Sequence, residues 1–285
     1  VSNYWNLIRP KIVVMVLAAM LVSGWAAAET ETPWPAIFHA MLGTTGVILG
    51  AMALNQRMER QGDAKMPRTA GRPLPSGRLS AVEVTRFGAI ASLLGTGYLI
   101  IFCNVTLVIL AVAGWMVYVL AYTPLKRRSI WQTPVGAAAG AMPALLGAAA
   151  VGAPLSPLGL SLFGIVFCWQ LPHAMAIAWL YRRQFADAGV RVATVVDPSG
   201  RIAGRFAVFG AIILMPVSFA PVIFSQMGWI FGVLAALLGL GYFFFSFTFH
   251  RRKDDIAARR LLWASLVYLP ALLLATAIAR LFSPG

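Results

Sequence analysis

"IFHAMLGTTGVILGAMALNQRMERQGD" (Ile37–Asp63) changes character once, at Asn55. Up to Leu54 the side chains are almost wholly apolar; beyond it amides and charges dominate. A helix that crosses the hydrocarbon core of a bilayer needs about 20 predominantly apolar residues, and the stretch 36–54 qualifies. Eight others do so as well: 12–28, 84–102, 105–121, 131–151, 158–179, 204–225, 228–249 and 261–281. The chain has 285 residues, 60% hydrophobic and only 11% charged, too apolar for a domain whose surface faces water. The expected fold is all-α: one polytopic membrane domain over residues 1–285, a bundle of nine transmembrane helices with backbone polar groups satisfied inside each helix.

The net charge of +14 raises the question of nucleic acid, and the positions of the charges answer it. All 23 Lys and Arg except Arg280 fall before the first span (Arg9, Lys11) or in four clusters on alternate connections: Arg57 to Arg86, Lys126 to Arg128, Arg182 to Arg205 and Arg251 to Arg260. The intervening connections "ETETPWP", "CN", "GAPLSP" and "SQMG" carry none, and the first holds Glu29 and Glu31. The positive-inside rule then predicts a cytoplasmic N-terminus and a C-terminus on the opposite side. The basic excess is topogenic, and no nucleic-acid partner is expected. The first apolar run, followed by "AAAE", imitates a secretory signal, but Trp25 near an interface reads as an anchor.

Two connections on the basic side, 55–83 and 180–203, are long and rich in Gly and Pro, and loops of that length are commonly functional. The fifth span places Gly136, Gly140 and Gly147 among alanines, a face for close helix packing. Cys103 and Cys168 lie in apolar context and read as packing residues rather than a disulfide or metal site.

In a chain with nine acidic residues, each is informative. Asn55, Glu59 and Asp63 are spaced i, i+4, i+8, a drift of about 80° over about 12 Å on an α-helix. If the second span continues past Leu54, they share one face, although Gly62 argues against a regular last turn. Oxygen ligands in this arrangement suit Mg²⁺, which is held by one or two carboxylates together with substrate phosphates. Lys65, Arg68 and Arg72 behind them can grip phosphate oxygens. From spacing alone, a loop whose acids pair with nearby arginines is an equal alternative. Asp197, in "DPSG", reads as a turn residue, and Asp254 and Asp255 as part of a solvated basic turn.

Asn-x-x-x-Glu-x-x-x-Asp followed by "MPRTAGRPL" resembles the first signature of the heme O synthase (protoheme farnesyltransferase) family, within the UbiA superfamily of intramembrane prenyltransferases. "AYTPLKRRSIWQTPVGAAAGAMPALLG", "FCWQLPHAMAIAWLYRRQFADAGVR" and "LIRPKIVVMVLAAMLVSG" are similar to further family segments, and together the matching pieces cover most of residues 4–200. The resemblance implies a bundle with a lateral cavity capped by the loops 55–83 and 180–203. It also implies transfer of a farnesyl group from farnesyl diphosphate to a vinyl group of heme b, in a bacterial inner membrane, with partners in heme A synthesis or oxidase assembly. Mg²⁺ would be held by Asn55, Glu59 and Asp63, and diphosphate by Lys65, Arg68, Arg72, Lys126 and Arg127. Trp169, Gln170 and His173 would meet heme. From the residues alone, His173 beside Pro172 is either a satisfied structural histidine or a ligand contact; the resemblance favours the contact. In the second loop the candidates are Tyr181, Arg182, Gln184 and Asp187, and here the chain departs from the family: Gln184 stands where an acid is expected, with Asp187 one helical turn on. A quinone-precursor or chlorin acceptor is the near alternative. A secondary transporter is the distant one, and it would place charged or broken-helix sites near mid-membrane.

Overall fold

The computed structural model describes residues 2–28, 31–225 and 227–282; Glu29 lies outside them. Among the described residues nine helices are long and apolar enough to cross a membrane: Pro10–Ala27, Trp34–Asp63, Ala81–Phe102, Val105–Leu125, Gln132–Ala150, Pro157–Leu180, Arg201–Phe224, Trp229–Arg252 and a ninth beginning at Asp255. The ninth continues to Phe282. No strand is present among these residues.

The spans differ from the sequence reading mainly where polar caps extend an apolar run. The third starts at Ala81 because Ser80 and Glu83 form a reciprocal capping box, with Ser80 N donating to Glu83 Oε2 at 2.7 Å. Asp197 accepts from Ser199 N at 3.1 Å and from Ile202 N at 2.8 Å, so the predicted turn also starts the seventh span at Arg201. The second span is 30 residues long and stays helical through Gly62 to Asp63. Its end is closed by Thr69, whose hydroxyl donates to the Asp63 carbonyl at 2.8 Å.

The second span packs on the third, the sixth on the fifth and seventh, and the ninth on the sixth and eighth. Each glycine of the fifth span meets a different neighbour. Gly147 lies against the backbone of Met20 and Gly24 in the first span, Gly140 against Gln170 in the sixth, and Gly136 against the Tyr122 ring in the fourth. Close approach of this kind is what holds helices together in lipid, where burial of apolar surface gives little drive. Spans six to nine form a solid core. Tyr242 and Tyr268 stack with centroids 5.2 Å apart, Tyr242 donates to the Trp169 carbonyl at 2.9 Å, and Trp169 Nε1 donates to the Ser265 carbonyl at 2.8 Å. Each such bond contributes on the order of 0.6 kcal/mol. Pro172 interrupts the sixth span's hydrogen bonding, and Gly210 of the seventh packs against this turn. Cys168 is buried beside it and Cys103 is half-buried, neither in a disulfide.

The fourth span is regular from Val105 to Met116 and then becomes a π-helix over Val117–Tyr122. Segments of this kind are frequent at functional sites, and this one turns Tyr118 and Tyr122 toward the bundle interior, where both line a cavity.

Candidate active site

The cavity has a volume of about 840 Å³ and is walled by the first, second, fourth, fifth and sixth spans, with Leu269 alone from the ninth. Its walls are mostly apolar; its charged end is built where the second span overruns the apolar stretch. Glu59 and Asp63, one turn apart on that overrun, both line it. Each is held by a cation from another segment: Lys126 Nζ is 2.6 Å from Glu59 Oε1, and Arg72 Nη1 is 2.6 Å from Asp63 Oδ2. The two loops after the second and fourth spans are thereby drawn to one helix face.

These pairs are strongly conditioned by burial. For Lys126, burial works against the charge, but Tyr122, Glu59 and Tyr118 together raise its pKa well above the ordinary lysine value. Its ammonium lies 4.4 Å from the Tyr122 ring centre. The Arg72 guanidinium is lowered, first by burial and then by the Arg9 charge, with Asp63 opposing.

The remaining sequence-predicted residues divide in two. Arg68 and Arg127 line the same cavity at its exposed rim, and Arg68 lies 5.1 Å over the Tyr181 ring, joining the first long loop to the second. Trp169, Gln170 and His173 line the opposite, membrane-embedded wall. There His173 stacks on Trp169 with centroids 4.8 Å apart and its Nδ1 is 2.8 Å from Ser265 Oγ. Gln170 Nε2 donates to the Ala137 and Val166 carbonyls, both at 3.1 Å. The second long loop closes over the charged end: Phe185, Val190 and Val192 line the cavity, Arg191 N donates to the Lys126 carbonyl at 2.7 Å, and Thr194 is anchored on the Ala178 carbonyl.

Six residues do not line the main cavity, Tyr181 beneath Arg68 being the first of them. Asn55 is buried behind the wall, its amide donating to Thr123 Oγ1 at 2.9 Å, and it is Thr123 that meets the cavity. Lys65 borders a shallower outer cavity that shares Gly62 and Arg127 with the main one. Arg182 is bound to Asp255 at 2.8 Å and packs on Trp179, away from the cavity; Asp255 thus ties the second loop to the ninth span and is not merely a solvated charge. Gln184 Oε1 is buried without a hydrogen-bond partner. Asp187 is exposed and does not line the cavity.

Sequence reasoning passed over Tyr118 and Tyr122, whose rings pack at 5.4 Å beside Lys126. The signal was available: Tyr118, Tyr122 and Lys126 repeat the i, i+4, i+8 spacing of Asn55, Glu59 and Asp63.

No set of three His, Cys, Asp or Glu side chains converges on a metal position among the described residues. Two carboxylates facing a cavity rimmed with cations nevertheless suit a divalent cation that keeps most of its shell for water and phosphate oxygens.

Residues 16–278 match the family model described as the UbiA prenyltransferase family. The chain belongs to the UbiA prenyltransferase family. A curated relative from Solibacter usitatus (strain Ellin6076), named protoheme IX farnesyltransferase, is 37% identical over 279 residues, covering 94% of this chain and 95% of the relative. Among solved structures, a digeranylgeranylglyceryl phosphate synthase shares the fold with a TM-score of 0.83 at 18% identity, covering 98% of each chain. A UbiA homolog from Archaeoglobus fulgidus, solved with DMAPP and Mg²⁺, aligns with a TM-score of 0.65 at 13% identity over 97% of this chain and 99% of that one. This family member is therefore a membrane-embedded transferase, and its cavity has the two-ended character that prenyl transfer requires: charge at one end, hydrocarbon along the rest.

Proposed function

We propose that the chain transfers the farnesyl group of farnesyl diphosphate to a vinyl group of heme b, with Mg²⁺ as cofactor and diphosphate released. The single observation that carries this reading is the placement of Glu59 and Asp63, among Lys126, Arg72, Arg68 and Arg127, at one end of an apolar cavity whose other wall presents His173 on Trp169. The near-full-length identity to the relative named protoheme IX farnesyltransferase selects heme over other acceptors. The Mg²⁺ in the Archaeoglobus homolog of the same fold supports the metal.

Glu59 and Asp63 would hold the ion, which when bound offsets the charge of the diphosphate. As the allylic C–O bond lengthens, negative charge grows on the departing oxygens. Lys126 and Arg72, which stand beside Glu59 and Asp63, would meet that charge, and donors aimed at developing charge lower the barrier rather than merely bind. The farnesyl carbon left behind is cationic, and the Tyr118 and Tyr122 faces stabilise it at close range. The vinyl group supplies the electron pair for the new C–C bond. Water adds to the resulting porphyrin side-chain cation and loses a proton, giving the hydroxyethylfarnesyl group, so that one water is consumed for each diphosphate released. The apolar walls keep water from the farnesyl cation until then. By the positive-inside rule the charged end faces the cytoplasm of a bacterial inner membrane.

The test is an assay of the purified protein in lipid vesicles with heme b, farnesyl diphosphate and Mg²⁺, read by mass. A heme heavier by the hydroxyethylfarnesyl group is expected, and chelation of Mg²⁺ is expected to stop its formation. Prenylation of a quinone precursor with no heme product under the same conditions would overturn the reading.

A further inference from the structure

Arg9 was read from the sequence only as a topogenic charge, yet it lines the charged end of the cavity. Its position is built. The short helix Ser2–Leu7 is pinned to the second span by Gln56 Nε2, which donates to the Leu7 carbonyl at 2.5 Å. It is pinned to the third by the Tyr4–Phe87 ring pair at 5.3 Å. The chain then turns into the first span through Arg9 itself, at φ 46, a left-handed conformation that strains any residue with a Cβ. Glycine would take this backbone freely; the chain places a guanidinium there.

Among the described residues that guanidinium is paired with no acid. Six cations line the cavity (Arg9, Arg68, Arg72, Lys126, Arg127 and Arg128) against two carboxylates, and the two carboxylates are already paired with Arg72 and Lys126. Of the four others, Arg68, Arg127 and Arg128 are exposed at the rim, whereas Arg9 is half-buried. A diphosphate whose charge is largely cancelled by a divalent cation leaves most of this positive excess unmatched. A second anion in the cavity would match it. The residues that follow Arg9 on the same helix, Ile12, Met15, Val16 and Ala19, form an apolar strip of the cavity wall, so a ligand held at Arg9 has hydrocarbon to lie along.

We infer that Arg9 binds a carboxylate of the acceptor, fixing the porphyrin by its propionate edge along the first span while the diphosphate occupies the Glu59–Asp63 face. This rests on heme b being the acceptor, and the experiment separates the two. Steady-state constants are measured in vesicles for the wild type, Arg9→Gly and Arg9→Lys, with heme b and with its dimethyl propionate ester as acceptors. Gly suits the backbone, so the loss reads the side chain. Expected for Arg9→Gly is a rise in KM for heme b of about tenfold or more, a change in KM for farnesyl diphosphate below about twofold, and partial recovery in Arg9→Lys. The ester should be a poor acceptor for the wild type and no poorer for Arg9→Gly. A rise in the farnesyl diphosphate KM instead would assign Arg9 to the diphosphate and overturn the inference. So would an equal penalty on heme b and its ester, or, should the Gly variant not fold, wild type that uses the ester as well as heme b. No farnesylated heme from the wild type would remove the acceptor reading itself.

Discussion

The two sides of the bundle treat buried polarity in opposite ways. In the solid side, spans six to nine, polar groups satisfy one another across helices: Ser218 with Tyr268 at 2.5 Å, Tyr242 with the Trp169 carbonyl, Trp169 with the Ser265 carbonyl. Around the cavity, charges are gathered in excess, and the pairs they form are those a substrate would exchange: Glu59 with Lys126 and Asp63 with Arg72. One side holds its shape through pairs closed across its helices; the other stores unmatched charge for ligands to match.

The comparison can be broken at its charged end first. Asp63→Ala and Glu59→Ala are each expected to lower diphosphate release by about a hundredfold or more, with thermal unfolding in detergent little changed; unaltered turnover would remove the metal role. On the packed side the effect should fall on stability. Gly147→Val drives a branched side chain into the Met20 and Gly24 backbone, and a loss of about 1–3 kcal/mol should lower the unfolding temperature. An unshifted temperature would show that the first and fifth spans pack less tightly than described.

Smaller effects sharpen the line between the sides. Tyr122→Ala, which removes a ring between Lys126 and Gly136, is expected to lower kcat about tenfold, while Tyr122→Phe stays within about threefold, because the ring face stabilises the cation. Equal losses would move the role to the hydroxyl. Smallest of all, Arg182→Ala breaks a half-exposed pair with Asp255 that contributes less than about 1 kcal/mol, and turnover should be unaffected. A large loss would put Arg182 back in the site.

Much of this was legible in the sequence, and the misses have physical causes. Apolar length located all nine spans, because lipid imposes one requirement on every crossing helix. It clipped their ends wherever a helix continues into polar residues, as at Ser80 with Glu83 and at Asn55 to Asp63. The i, i+4, i+8 face was readable, but spacing alone gave no hint that Thr123 stands between Asn55 and the cavity. That depends on the fourth span's changed winding, which no residue type announces. Arg9 and Arg182 illustrate the same limit in opposite directions. The positive-inside rule accounts for both, so it hides that one faces the cavity and the other is tied to Asp255.

The π-helix Val117–Tyr122 holds more residues per turn than the α-helix before it, which makes it in effect an insertion written into the fourth span. Substitutions leave such a register alone, so the lipid-facing Leu120 is free to vary among apolar residues. Regularisation of the winding at constant length is a different event: everything beyond the segment would rotate by about 100°. Lys126 would then swing off Glu59, and the chain leading to the second loop's anchor on the Lys126 carbonyl would turn with it. The span is thus tolerant in composition and intolerant of a change in winding.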